Sequence, residues 1–427
     1  MYTRGEARTA GRRAPARYNA VVLTPAAARA RILAALSDVA PLAAERVPLA
    51  DALGRALAEE LTAARDVPGF DAATMDGYAL RAADAPRAGA RLPVAFEVYA
   101  GRPAPAPLPP GSCCRIFTGA PLPEGADAVE MQEEVRRAGR GPAAFRRAAE
   151  AGRFVRRAGS DVAAGAVALA AGAVIDAGVI GLAAGLGRTE LAVRRRPRVA
   201  ILPTGDEVVP AGRVPGPGQI HESNGPALAA AVREAGGDPV LLPIAGDDPE
   251  TLARALEAAR GLDALVTTGG VSVGTRDLVR DALVRAGARL DFWKVAMRPG
   301  KPFTFGRWER TAVFGLPGNP ASALVTFELF ARPALRALAG LAGTGRVTVP
   351  ARLAVAQEKP AELAVFVRAR VRRSRTGLVV EPLPTQLSGH LTSVAGHDAL
   401  AVLPAGRARL ARGTEIEAVL LQAPPEP

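Results

Sequence analysis

Short, largely apolar runs alternate with longer amphipathic ones between residues 196 and 342. The runs at 198–202, 240–244, 264–267, 290–295 and 312–314 read as strands. Segments 224–234, 249–259, 277–285 and 321–338 repeat their apolar residues at helical spacing and read as helices. Strand alternating with helix predicts right-handed βαβ units and a doubly wound parallel sheet. Ligands of such sheets bind beyond the carboxyl ends of the strands, so the turns at 204–207, 269–277 and 315–320 should meet on one rim.

The pattern differs on either side. Thr24-Pro25 caps a helix over 26–36, with proline at its first position. Residues 47–61 read as strand, turn and helix. From 66 to 150, short strands such as 92–98 and 115–117 alternate with glycine turns and a proline-rich stretch, as in a small β-rich domain. Segments 163–170 and 174–182 read as a strand and a helix. After 345 the chain returns to short strands, at 347–355, 366–371, 378–380, 400–403 and 415–419, expected to close a barrel or sandwich.

Composition narrows the functional classes. A chain of 427 residues, 49% apolar and 22% charged, is globular and multidomain. No apolar run spans a membrane and no secretory signal pattern is visible. Cys113 and Cys114 are adjacent, which excludes a disulfide framework and fits a buried pair in a reduced cytosol. His221, His390 and His397 are too few for a His/Cys metal site, so any metal would be a hard, oxygen-liganded ion such as magnesium. The net charge of +12 permits nucleic-acid binding, but dispersed arginines and only 4% aromatic residues argue against it. The first 18 residues, with five arginines, read as a disordered basic tail.

Lysine is the rare cation: Lys294, Lys301 and Lys359 stand among 51 arginines. Retaining a compact ammonium in an arginine-rich chain points to a place where a planar guanidinium does not fit, and such point charges suit phosphate and other oxyanions. Lys294 and Lys301 share the stretch Phe292-Trp-Lys-Val-Ala-Met-Arg-Pro-Gly-Lys-Pro302, whereas Lys359 lies alone. Around them, Pro203-Thr-Gly-Asp-Glu207 puts two acids on a post-strand turn, fit to hold magnesium or to cap a helix. Gly269-Gly-Val-Ser-Val-Gly274 with Asp277 offers backbone amides to a phosphate, or is a plain glycine turn. Asp247 and Asp248 follow another strand, where Asp248 before Pro249 is also an ordinary cap. Gly315-Leu-Pro-Gly-Asn-Pro320 stiffens a helix start into an anion dock. Acids combined with cations and amides define metal-assisted chemistry on a phosphate ester or oxyanion, and no nucleophile triad is present. In the β-rich region, Met75-Asp-Gly-Tyr-Ala79 and Arg115-Ile-Phe-Thr-Gly-Ala-Pro121 read on their own chemistry as a hairpin and a strand end.

In order, Phe70-Asp71 with Met75–Ala79, 115–120, Gly125-Ala-Asp-Ala-Val129, 203–207, Ser223-Asn-Gly225, 269–274 with Asp277, Lys294, Pro299-Gly-Lys-Pro302 and 315–320 resemble the molybdopterin molybdenumtransferase family, also similar to the C-terminal domain of gephyrin. The resemblance covers about residues 20–425. It implies insertion of molybdate into adenylylated molybdopterin with release of AMP, dependent on Mg2+, in a cytoplasmic homodimer. Its implied partners are the molybdopterin adenylyltransferase and molybdoenzyme chaperones, with neither nucleic acid nor membrane. The implied domains are 19–61 with 151–195 (discontinuous), a β-rich insert at 62–150, the molybdopterin-binding α/β domain at 196–342, and a C-terminal β domain at 343–427.

By the same resemblance, Asp76, Thr118, Glu207, Asp277 and Lys294 fall on catalytic positions, with Glu207 and Asp277 holding the metal. Asp161, Asp247, Asp248, Gly269, Gly270, Ser272, Gly274, Arg298, Lys301, Pro317, Pro320, Arg368 and Ser388 fall on substrate-binding ones. Asp76 and Thr118 are expected to complete the cleft of the partner subunit. The chain departs from the pattern at Ala72-Ala73, where Asn-Ser is usual, and at Thr74, Phe117 and Ser160. Arg298 stands where some members carry lysine. A non-catalytic dimeric scaffold of the same fold is the alternative reading.

Overall fold

The computed structural model describes residues 22–39, 41–270, 278–375 and 377–423. They form two compact units, one of Ala44–Val193 and the other of the described residues on either side of it.

The larger unit begins with helix α1, Pro25–Ser37. Thr24 Oγ1 accepts from the Ala27 amide, and Ala28, Ile32 and Leu36, spaced by four, are buried. Burying the Ile32 side chain stabilises by about 2–3 kcal/mol. The helix packs on an α/β sheet whose strands are β1 (Arg198–Pro203), β2 (Asp238–Leu241), β3 (Ala264–Thr268), β4 (Arg289–Lys294), β5 (Pro302–Trp308) and β6 (Thr311–Leu316). The described residues of 22–43 therefore belong to the unit of the α/β sheet, and 44–61 to the other unit.

The spatial order is β2-β1-β3-β6-β5-β4. The first four strands are parallel. The last two are an antiparallel edge, which differs from the all-parallel sheet expected. Helices α2 (Asn224–Glu234), α5 (Pro320–Thr326) and α6 (Arg332–Leu338) cover one face together with α1. Helices α3 (Pro249–Ala258) and α4 (Leu278–Arg285) cover the other. The sheet is thus doubly wound, and β3, sandwiched between both layers, is buried at every residue. The expected single helix over 321–338 is interrupted by a π-turn at Phe327–Ala331. Just before it, Thr326 Oγ1 bonds back to the Ser322 and Ala323 carbonyls, a contact that bends helices. The turn places Glu328 inward, where Arg346 holds it at 2.8 Å.

The C-terminal strands β7 (Thr348–Leu353), β8 (Ala364–Ser374), β9 (Gly377–Pro382), β10 (Ala399–Leu403) and β11 (Glu415–Leu420) close in the order β8-β9-β7-β11-β10 and back to β8. The result is a five-stranded barrel, not a sandwich, filled by alternating residues such as Val367, Ala369 and Val371. Met297–Arg298 adds alongside β8, which ties the Arg298–Lys301 bend of the α/β domain to the barrel wall.

The smaller unit has its own cores. Leu57, Leu61, Ile175, Ala183 and Val193 form one of them. The helix expected at the end of 47–61 is absent there: Ala56 and Leu57 bridge instead to Val174 and Val193, long-range pairing that overrides local propensity. A four-stranded sheet of Val94–Val98, Cys113–Ile116, Gly77–Leu80 and Ala128–Met131 builds the β-rich part. Pro93 separates Val94–Val98 from Arg91–Leu92, breaking the expected strand 92–98. Ala72 and Ala73 are buried against Val155 and Arg156, where larger polar side chains would not pack the same way.

Cys113 and Cys114 are wholly buried, and burial pushes both thiols up to about 12. Their thiolate fraction near pH 8 is then negligible. The native chain should leave a thiol-selective disulfide reagent unreacted at pH 8, whereas the denatured chain should titrate two thiols; rapid labelling of the native protein would contradict this burial.

Candidate active site

The turns after β1, β2, β3 and β6 meet beyond the carboxyl ends of these strands, at the point where the strand order reverses between β1 and β3. There a cleft of about 640 Å3 is lined by Thr204, Glu207, Asn224, Gly269, Gly270 and Pro320, among others. Its floor is tied by polar side chains. Asn224 Nδ2 donates to Thr268 Oγ1 at 2.8 Å and to the Gly318 carbonyl at 2.7 Å, and Thr268 Oγ1 donates to the Pro317 carbonyl at 3.2 Å. Asn224 starts α2, as read from sequence, and its side chain also ties the end of β3 to the 315–320 loop. The signal available was the Ser223-Asn224-Gly225 motif, but its partners are distant in the chain.

Gly269 is required by close approach: a Cβ there would run into the Thr204 carbonyl oxygen, and its φ is +92°. Its amide donates to the Leu316 carbonyl at 3.3 Å and so extends the sheet. Ser272, Gly274 and Asp277 lie outside the described residues.

Glu207 lines this cleft with an exposed side chain folded back over Gly205. Beside it, Asp206 Oδ1 accepts from the Asp247 amide at 3.0 Å. Desolvation, then the charges of Asp206 and Glu207, hold the Asp247 carboxyl above its ordinary range. Asp248 instead caps α3, its Oδ1 accepting from the Glu250 and Thr251 amides, and bonding to Thr251 keeps it below the usual carboxylate range. The hard-oxygen set of Glu207 with its acidic neighbours fits Mg2+, which needs one or two carboxylates and fills its other positions with water and substrate phosphate. Among the described residues no three such side chains already converge.

A second cleft, of about 780 Å3, shares Pro302, Pro317 and Asn319 with the first and runs toward the barrel. Arg298, Lys301, Arg368 and Ser388 line it. The structure thus brings together cations some 70 residues apart in sequence: Arg298 and Lys301 on the bend and Arg368 on β8. Arg368 is 1% exposed, yet its Nε and Nη1 have no hydrogen-bond partner. Its Nη2 reaches only the Leu387 carbonyl, at 3.4 Å. The start of α5 is less open than the sequence implied, because the Ala321 amide donates to the Ser388 carbonyl at 3.0 Å. Lys294 lines neither cleft; its ammonium sits 3.8 Å from the Trp293 ring centroid, across from Arg280 on α4.

The smaller unit holds the remaining expected residues. Asp76 Oδ1 accepts from both the backbone amide and the hydroxyl of Thr118, at 2.8 and 2.7 Å, and these bonds lower its pKa. Both residues are exposed, with Phe70 and Met75 also exposed nearby in sequence. Asp161 pairs with Arg156 at 3.3 Å on the surface.

A cleft at the switch point of a doubly wound sheet with acids at its rim, adjoined by a second that carries Arg298, Lys301 and Arg368, is the arrangement of a protein with a small-molecule site suited to anions. Comparison with known proteins gives the family. Residues 23–187 match the MoeA N-terminal region (domain I and II), 200–337 a probable molybdopterin binding domain, and 350–421 the MoeA C-terminal region (domain IV). The chain is 40% identical over 381 residues to molybdopterin molybdenumtransferase 2 of Mycobacterium tuberculosis, covering 87% of this chain and 93% of that one. It is 35% identical over 386 residues to the molybdopterin molybdenumtransferase of Bacillus subtilis, covering 88% and 90%. The molybdopterin biosynthesis MoeA protein of Pyrococcus horikoshii superposes with a TM-score of 0.80 at 32% identity, over 94% of this chain and all of that one. The chain belongs to the molybdopterin molybdenumtransferase family.

Proposed function

We propose that this chain inserts molybdenum from molybdate into adenylylated molybdopterin and releases AMP. The observation that carries the reading is the pair of adjoining clefts, with Arg368 buried beside one of them and two of its nitrogens unbonded. A buried guanidinium without an acceptor costs several kcal/mol, and an oxyanion ligand removes that cost. Accordingly, Arg298, Lys301, Arg368 and Ser388 take the molybdate. The cleft of Glu207, Asn224 and Gly270 takes the phosphate-bearing pterin, with Pro317 and Pro320 among its lining, whereas Lys294 stands outside both clefts.

Glu207, with Asp247 nearby and Asp277 expected to join it, would hold Mg2+. That ion would offset negative charge on the anhydride joining AMP to the pterin phosphate. The residues themselves hold the two anions side by side, so that attack on this anhydride by water or a molybdate oxygen, releasing AMP, can be coupled to exchange of molybdate oxygens, lost as water, for the dithiolene sulfurs. The reading further includes a cytoplasmic homodimer in which Asp76 and Thr118 serve the partner's site. It also includes supply of substrate by a molybdopterin adenylyltransferase and delivery of product to molybdoenzyme chaperones.

The test uses the purified chain and adenylylated molybdopterin. AMP should appear only when molybdate is added. Retention of the pterin with no AMP release under any molybdate concentration would overturn the assignment in favour of a non-catalytic scaffold.

A further inference from the structure

The three lysines remain unexplained by composition, and the structure returns to the one that lies alone in sequence. Lys359 lines the same cleft as Arg298, Lys301 and Arg368. Its backbone amide is pinned to the Ala408 carbonyl at 2.9 Å. Its ammonium donates to the Pro360 and Leu363 carbonyls, at 3.1 and 2.8 Å. An ammonium has three N–H donors, so one is left without a protein acceptor. Glu358, the only carboxylate among the lining residues, faces Arg409 at 3.7 Å instead. Desolvation lowers the Lys359 pKa, partly opposed by Glu362, as for a cation short of a close counter-ion. A compact, rotatable ammonium converges on the two carbonyls of this tight turn and still aims its third donor outward.

We propose that Lys359 is a fourth cation of this cleft and sets its affinity for molybdate. The proposal rests on the reading of the cleft as the oxyanion subsite. With Arg298, Lys301 and Arg368 it surrounds a small dianion with positive charge from both walls, the α/β bend on one side and the barrel on the other.

The experiment compares Lys359→Met, Lys359→Arg and Lys301→Met in molybdate-dependent AMP release, reading KM for molybdate and for adenylylated molybdopterin separately. Lys359→Met should raise the molybdate KM about tenfold, as expected for one lost charge-assisted donor, and leave the pterin KM within about twofold. Lys359→Arg, which keeps the charge, should lie closer to the parent and serves where the methionine variant folds poorly. An unchanged molybdate KM in Lys359→Met overturns the proposal, as does a parallel rise in both KM values with a lowered unfolding midpoint, the signature of a turn cap alone. If Lys301→Met also leaves the molybdate KM unmoved, the oxyanion reading of the cleft falls; if only Lys301→Met raises it, the role of Lys359 falls alone.

Discussion

Replacing Arg368 by methionine should make the protein more stable and nearly inactive at low molybdate. The two effects have one cause. Arg368 is the largest fully buried side chain of the molecule's described residues, it has no carboxylate partner, and two of its nitrogens are unbonded. Burial pushes its pKa down, because desolvation disfavours the charged form. A guanidinium keeps its charge at any working pH, so the cost of burying it is present throughout and the gain on removing it should be independent of pH. Replacing a buried charge by an apolar side chain of similar volume is typically neutral or stabilising by about 1–4 kcal/mol. Methionine fits the same long, unbranched space.

Activity should move the other way. Losing a buried charge-assisted contact to an anion costs about 2–5 kcal/mol, so the molybdate KM should rise by about 30-fold or more. Arg368→Lys should recover part of this, since it restores charge without the planar fork. Urea unfolding and molybdate-dependent AMP release measure the two halves. A lower unfolding midpoint in Arg368→Met, together with an unchanged molybdate KM, would show that the guanidinium serves only to hold the loop at Leu387.

The contrast between Arg368 and Lys359 shows how far the sequence could be read. Periodicity located β1, β3, α2 and α3 within a residue or two, because each buries one face or both against neighbours close in the chain. It missed β5, where Gly306, a bend rich in cations and a starting proline mask a strand that is stable only as an edge hairpin partner of β6. It also placed a helix before Leu61 where distant strands claim the backbone. The rim loops were legible from strand ends and glycines. The second cleft was not, since its cations converge only once the barrel closes and Met297–Arg298 pairs with β8. Arg368 and Ser388 came from family resemblance, and Lys359 from neither resemblance nor spacing. Asn224 shows the same limit: a residue fit to start a helix became the clamp between Thr268 and Gly318, neither of which lies near it in sequence.

Glu207→Gln should lower the turnover of AMP release by about 100- to 1,000-fold, the usual scale for removing one preorganised electrostatic contact. Its stability should stay within about 0.5 kcal/mol of the parent, since the side chain is exposed. The molybdate KM should change little, because the cations that line the second cleft are untouched. Gly205 supplies an independent check on where the carboxylate must be. Its φ is +135°, a conformation that other residues adopt only with strain, and a Cβ there would overlap both oxygens of the folded-back Glu207. Gly205→Ala should therefore displace the Glu207 carboxylate while keeping its charge. It should lose activity as Glu207→Gln does and lose about 1–3 kcal/mol of stability besides. Full activity in Glu207→Gln would remove the carboxylate from the reaction. Loss of stability without loss of activity in Gly205→Ala would show instead that the carboxylate works from a position other than the one folded over Gly205. If both variants lose turnover and keep their molybdate KM, the acidic rim acts on the pterin anhydride and the cationic cleft on the incoming oxyanion, as two separable parts of one site.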